Sequence, residues 1–417
     1  MRRAIAVIIG VLATWSAHAA GRDTTSLCRY GLEFGAQPGW VIAADSYEKK
    51  WLKGNFAMAV NAGIRYSALP CDSDAYARDF GYPVLAVGIK YGMNHGVTMH
   101  REEDPAWGLL EPVDYISRMG NMVTLYGSFE RPFFRNRRWQ ADYTLSFGVG
   151  YSRSKYNTHD AIDNELIGSR WLIYFGTGLH ATYRITREFG LRAGVEFYHH
   201  SNGALNRPNK GANVVAPSLG VVYEPYDEEL ALRGRHRKST PFKPFTFVDF
   251  ALGIGAKTLN EDWQHTQFGT PPGDPDYRTS KFKRYPTYSM QTSIMRRYAR
   301  RWASGVGLDV FYGSYASHVR DLEMKKGIDA KYSPWSLGLS AKHRVYYHNL
   351  ALHTSLGFYL FRRMGDNAKQ VEAPYYEHIG LHYSFPSLQQ LTIGIDVKAH
   401  KTKADYTELV VSVPIQL

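Results

Sequence analysis

After its first nineteen residues the chain has no apolar run long enough to cross a bilayer as a helix. Its mean hydropathy is negative. A helical span needs about 20 such residues, so a helical membrane protein is excluded. Cysteine is almost absent. Cys28 and Cys71 are the only two, which leaves room for one disulfide in an oxidising compartment or for two free thiols. No lipobox precedes Cys28, so no lipid anchor is expected. Internal repeats, low-complexity tracts and domain-dividing linkers are also missing. The histidines are scattered without metal-ligand spacing, so neither a metal nor another cofactor is expected. Acidic residues fall short of basic ones, giving a formal charge of +12.

What is present begins with an address. Arg2 and Arg3 precede an apolar stretch from Ala4 to Trp15, and Ala17-His18-Ala19 supplies small residues for cleavage. Residues 1–19 therefore read as a secretory signal peptide. In an exported protein the positive charge points away from nucleic acid and towards the anionic phosphates of lipopolysaccharide. Aromatics make up 14% of the chain, with 30 Tyr and 38 Gly. That composition suits a transmembrane β-barrel with aromatic girdles. A secreted soluble β-protein is the alternative.

Alternation with period two recurs along the chain. Tyr143, Leu145, Phe147, Val149 and Tyr151 alternate with Asp142, Thr144, Ser146, Gly148 and Gly150. Leu391, Ile393, Ile395 and Val397 alternate with Thr392, Gly394, Asp396 and Lys398, and Leu409 to Leu417 closes the chain in the same way. Apolar residues outside and small or polar residues inside is the barrel pattern. No helical stripe of useful length is evident. The expected strands lie near 31–44, 56–69, 84–99, 122–135, 140–153, 170–185, 188–201 and 214–224. Eight more lie near 244–257, 287–298, 302–317, 333–346, 350–363, 375–385, 391–400 and 406–417. The expectation is an all-β chain, residues 20–417 forming a single closed antiparallel barrel of 14–16 strands. Short periplasmic turns would alternate with long outer loops. The stretch 225–243, with Arg233, Arg235, Arg237 and Lys238, breaks that rule by being long on the short-turn side. A Pro/Gly cluster, 269–275, marks the longest outer loop.

One strand carries candidate chemistry. On 188–201, Leu191, Ala193, Val195 and Phe197 share one face, and Arg192, Glu196 and Tyr198 the other. The apolar parity continues into His199 and Ser201, so an imidazole and a hydroxyl point the same way two residues apart. A serine needs an adjacent base, usually histidine, to become a nucleophile. The strand leaves a short turn at Thr186-Arg187, which places both residues at its outer end. Polar groups interrupting a lipid-facing stripe are costly without a role. His200 has the opposite parity. The following Asn- and Gly-rich stretch offers oxyanion donors. Asn213 shares parity with Val215, Leu219 and Val221 and can lie beside His199. By contrast, His382-Tyr383-Ser384 has lumen parity and no Asn or Pro-Asn turn after it, so it reads as structural.

His199, Ser201, Asn202, Pro208, Asn209 and Gly211 together resemble the motif of the PagL-type lipid A 3-O-deacylases, outer-membrane barrel esterases with a Ser-His-Glu site. Asn164 to Ser169, and Lys398-Ala399-His400 through Tyr406, resemble longer members described as acyloxyacyl hydrolases. The specific match covers about fifteen residues, within the stretch 80–225 that carries the deacylase-like motif, and the looser one covers most of the chain. The resemblance implies an outer-membrane hydrolase cutting an ester-linked acyl chain from lipid A. Ser201 would be nucleophile and His199 general base, with Asn202, Gly203 and Asn209 shaping the oxyanion site. The family's acidic third member falls at Asn213. An amide can orient the imidazole but cannot stabilise its charged form. The alternative function is an inactive member serving as a transport or structural barrel, since sixteen strands around one axis would enclose a wide lumen. A homodimer stays open.

Overall fold

The computed structural model describes residues 29–69, 74–104, 111–225 and 241–417. The expected signal peptide over 1–19, both cysteines and the basic cluster from Arg233 to Lys238 lie outside the described residues.

The strands close as two barrels. The first comprises β1 (Tyr30–Val41), β2 (Leu52–Ser67), β3 (Val84–Met93), β6 (Met122–Arg135), β7 (Trp139–Ser152), β8 (Trp171–Arg184), β9 (Phe189–Ser201) and β10 (Ala212–Tyr223). The short β4 (Val97–Met99) and β5 (Ser117–Arg118) extend the outer part of β2. The second comprises β11 (Phe245–Lys257), β12 (Tyr285–Ala299), β13 (Trp302–Gly313), β14 (Tyr332–Tyr347), β15 (Leu350–Met364), β16 (Tyr375–Phe385), β17 (Leu391–His400) and β18 (Lys403–Gln416).

Sixteen barrel strands are thus present among the described residues, close to their expected positions. The expectation of one barrel over 20–417 is corrected. β10 pairs back onto β1, with Phe34 opposite Val221, and β18 pairs back onto β11, with Ile254 opposite Leu409. Each set satisfies its own edges, so no strand pairing among the described residues joins the halves. The anomalous stretch after β10 is the connection between barrels, which accounts for its length on the short-turn side. A smaller correction concerns 84–99. The chain turns at Asn94-His95-Gly96, and β4 then pairs with β2 rather than continuing β3. A helix, Ala316–Lys325, also stands where a polar loop was expected, with Ala316 and Val319 buried. Its apolar stripe is too short to be recognised from periodicity.

Parity along the strands behaves as the alternation requires. Leu191 and Val195 are exposed while Arg192 and Tyr198 are buried. Eight strands leave an interior just wide enough for side chains, and these are charged and paired. Arg65 reaches Glu33 at 2.8 Å, Glu130 at 2.8 Å and Glu224 at 3.0 Å. Arg192 pairs with Asp142 at 2.7 Å, and Lys90 with Glu196 at 3.2 Å. In the second lumen Lys342 pairs with Asp309 at 2.9 Å and Lys398 with Asp405 at 2.9 Å. The first lumen retains a cavity of about 60 Å³. The wide lumen that favoured a transport reading is not formed.

Polar and ring contacts join the barrels at both ends. At the turn end, Arg297 donates to the Tyr76 hydroxyl at 2.9 Å and Arg300 pairs with Asp79 at 3.3 Å. At the loop end, Arg278 pairs with Asp163 at 2.6 Å and Arg101 donates to Gln267 at 2.8 Å.

Candidate active site

β9 places His199 and Ser201 on the outward parity at its loop end. His199 lies between Phe175 of β8 and Asn213 of β10, and Ser201 lies opposite Ile173. The His199 Nδ1 and Asn213 Oδ1 atoms are 2.8 Å apart. An amide oxygen only accepts, so Nδ1 carries the proton and Nε2 presents its lone pair. His200 turns into the lumen, where its Nε2 lies 2.9 Å from the Thr124 hydroxyl.

Ser201 is only 8% exposed, because the chain after it folds back over the strand ends. Gly203 and Ala204 adopt positive φ of 59° and 65°, and Gly211 one of 78°. Two of these turns also need glycine for space. A Cβ on Gly211 would collide with the His199 ring, and one on Gly203 with the Thr407 hydroxyl. Within the loop, the Asn202 N–H donates to Asn209 Oδ1 at 2.9 Å, and the Asn206 N–H to Asn202 Oδ1 at 3.3 Å. Asn209 therefore shapes the loop. The Asn202 side-chain Nδ2 is buried and has no partner among the described residues. A buried donor without a partner is costly, and it is the kind of group that could receive a developing oxyanion.

Two segments grip this loop. The first is the stretch from Asn164 to Ser169. Lys210 and Gly211 N–H groups donate to the carbonyls of Glu165 at 3.2 Å and Leu166 at 3.0 Å, and the Asn206 amide donates to the Gly168 carbonyl at 2.7 Å. The second comes from the other barrel. The Thr407 hydroxyl donates to the Gly203 carbonyl at 3.0 Å. The Thr258 hydroxyl and N–H donate to the Ala204 carbonyl at 2.9 and 3.0 Å. Arg207 returns two bonds to the Thr258 carbonyl at 3.1 and 3.0 Å, and Arg284 reaches the Leu205 carbonyl at 2.9 Å. Sequence reasoning missed Thr258, Arg284 and Thr407. Each is an ordinary polar residue, Thr258 and Arg284 flanking strands and Thr407 within β18, far along the chain from its partner.

Beside the loop, Lys210 pairs with Asp45 at 2.5 Å. Burial alone would raise the Asp45 carboxyl, but Lys210 and the Glu48 N–H hold it below its ordinary value. Burial pushes the Glu48 carboxyl up to about 7.

Elsewhere the fold assembles ligand-type groups that spacing does not reveal. His353, His382 and Asp396 meet from three adjacent strands, and Glu372, His400 and Asp405 form a second group. Asp396 is bonded by both imidazoles, at 3.1 and 2.7 Å, and Asp405 is held by Lys257 and Lys398. His382 thus serves the lumen network, away from Ser201.

Comparison with known proteins divides along the same boundary as the barrels. Residues 86–222 match the model of the family described as lipid A 3-O-deacylase (PagL). Residues 246–416 match that of the acyloxyacyl hydrolase C-terminal domain. No curated protein matches the chain. Among solved structures, the outer membrane enzyme PagL is 13% identical, covering 46% of this chain and 98% of its own, with a TM-score of 0.27. The Pseudomonas putida toluene transporter TodX is 8% identical, covering 94% of this chain and 90% of its own, with a TM-score of 0.18. The two family matches together take in the first barrel from β3 to β10, without β1 and β2, and nearly all of the second, and the chain belongs to the lipid A 3-O-deacylase and acyloxyacyl hydrolase family.

Proposed function

We propose that this protein is an outer-membrane serine esterase that removes an ester-linked acyl chain from lipid A. The observation that carries the reading is the 2.8 Å bond between His199 Nδ1 and Asn213 Oδ1. It leaves the Nε2 lone pair for the serine on the same face of the strand. Ser201 Oγ attacks the ester carbonyl carbon while its proton passes to His199 Nε2. The oxyanion is received by donors at Asn202. Collapse of the adduct breaks the ester bond, and the imidazolium protonates the departing sugar oxygen. Water then adds to the acyl-serine, giving its proton to His199, and the fatty acid leaves as Ser201 is restored.

The outer leaflet supplies the substrate. Ser201 lies at the loop end of β9, and long loops mark the outer side of such barrels. The chain's net charge of +12 suits a phosphate-bearing lipid.

Mass spectrometry of lipid A from cells carrying the intact protein or Ser201→Ala tests this. The expected result is loss of one ester-linked acyl chain only with the intact protein. With purified protein, Ser201→Ala should lower turnover by roughly 10³-fold or more. Identical acylation in both strains would overturn the reading.

A further inference from the structure

Asp396 is held differently from the other buried aspartates of the second lumen. Asp249 pairs with Arg344, Asp309 with Lys342 at 2.9 Å, and Asp405 with Lys398 at 2.9 Å. Asp396 meets two imidazoles instead. Its Oδ2 lies 3.1 Å from His353 Nδ1, and its Oδ1 lies 2.7 Å from His382 Nε2. All three residues are buried. The backbone leaves room for this meeting. His353, Gly380 and Asp396 stand in one row across β15, β16 and β17, and His382 faces Gly394. A Cβ on Gly380 would collide with Asp396 Oδ1, and one on Gly394 with the His382 ring. A side chain at either glycine would drive the group apart.

One donor atom from each of His353, His382 and Asp396 lies within 4.8 Å of the others. Ligand atoms around a tetrahedral zinc, at bonds of about 2.1 Å, stand about 3.4 Å apart, which is within that reach. Two imidazoles and a carboxylate suit zinc and its first-row neighbours, whereas calcium and magnesium take oxygen ligands. Polar atoms are also left over around the group. His378, two residues before Gly380 on the same inward face, is 2% exposed, and neither of its ring nitrogens has a partner among the described residues. His353 Nε2 and His382 Nδ1 have none either. Buried polar groups in this state point to a polar occupant of the lumen. The second group of ligand-type residues differs. Lys257, Lys398 and Arg362 already hold the carboxylates of Glu372 and Asp405 beside His400.

We infer that His353, His382 and Asp396 bind a divalent first-row transition-metal ion, of which zinc is the type, inside the second barrel. The ion gives Asp396 the positive charge that Lys or Arg gives the other aspartates. Its ligands come from three neighbouring strands, so it ties β15, β16 and β17 together from within, and its role is structural. His353 is three residues from the start of β15, and His382 three from the end of β16. At about 3.4 Å per residue, the site lies about 10 Å inside the short-turn end of the second barrel. Ser201 is at the loop end of the first, and the inference stands apart from the esterase reading.

The test uses tag-free, full-length protein, unfolded in urea and refolded into detergent micelles with zinc or with EDTA. After gel filtration, elemental analysis of the zinc sample should find the metal equimolar with the chain. Cobalt in its place should give the visible absorption of a nitrogen- and oxygen-ligated ion. Zinc should also raise the unfolding temperature of the parent above that of the EDTA sample, since an ion that binds only the folded state stabilises it. His382→Gln and Asp396→Asn should lose the retained metal, the cobalt bands and the zinc-dependent shift. His400→Gln, in the group already held by lysine and arginine, should keep all three. Heat-modifiable migration shows which variants fold, and His353→Gln reads the same site should either of the first two fail to. A folded parent that retains neither zinc nor cobalt overturns the inference. So does a folded His382→Gln or Asp396→Asn that retains metal as the parent does, or a folded His400→Gln that loses it.

Discussion

Asn213 is where one atom type changes the chemistry most. Its Oδ1 can fix the tautomer of His199, but it brings no negative charge to the imidazolium formed when Ser201 loses its proton. A carboxylate at the same position would supply that charge. Asn213→Asp should therefore raise kcat for ester hydrolysis by about tenfold or more, a fraction of the ~10⁴ that separates Asp from Asn in a serine protease triad. A lower or unchanged kcat would show that the site is built around the amide. Glu48 carries a second prediction at this scale. Its folded-state pKa of about 7 lies above the ordinary value of 4.5. The folded state therefore binds the extra proton between those values. The stability it contributes is full below about pH 4.5 and lost as pH rises through 7. Thermal unfolding of Glu48→Gln should show less loss of stability between pH 5 and pH 8 than the parent. Parallel curves for the two proteins would refute this.

The loop between β9 and β10 is the element on which the site depends. Gly211 needs both its positive φ and the absence of a Cβ, because the His199 ring occupies that space. Gly211→Ala should shift the ring and cut activity tenfold or more. The left-handed backbone itself costs an alanine only about 1–2 kcal/mol, so the barrel should still fold. Heat-modifiable migration on gels would confirm the fold, and a folded, fully active variant would contradict the account. The lumen strands carry a different kind of dependence. Arg65 pairs with Glu33, Glu130 and Glu224 together, while Glu130 also pairs with Arg192 and Glu224 with Arg184. Arg65→Ala removes the cation that all three buried carboxylates share and should destabilise the first barrel by about 3–5 kcal/mol. Urea unfolding in micelles measures it.

The whole molecule is two side-by-side barrels rather than one wide one. Each lumen is filled by paired charges, so the protein should not conduct. Liposomes carrying it should swell in small sugars no faster than empty liposomes. Rapid swelling would revive the transport reading that a sixteen-stranded lumen would have supported. Two barrels in one chain also give the site loop supports from both, through Gly168 and its neighbours in the first and through Thr258 and Thr407 in the second.

Strand positions, face parity and the pairing of His199 with Asn213 were legible in the sequence. They depend on period-two alternation and on neighbours across one short loop, which are local properties. Even the long stretch after β10 announced itself as an exception, although its meaning as the joint between barrels did not. Barrel closure was decided only by tertiary structure, because alternation records which way a side chain points and not which distant edge its strand will pair with. The same reason hid Thr407, Thr258 and the His353–His382–Asp396 cluster. Their importance comes from where two closed sheets bring them, and pairing between strands far apart in sequence leaves no mark on the residues near them in the chain.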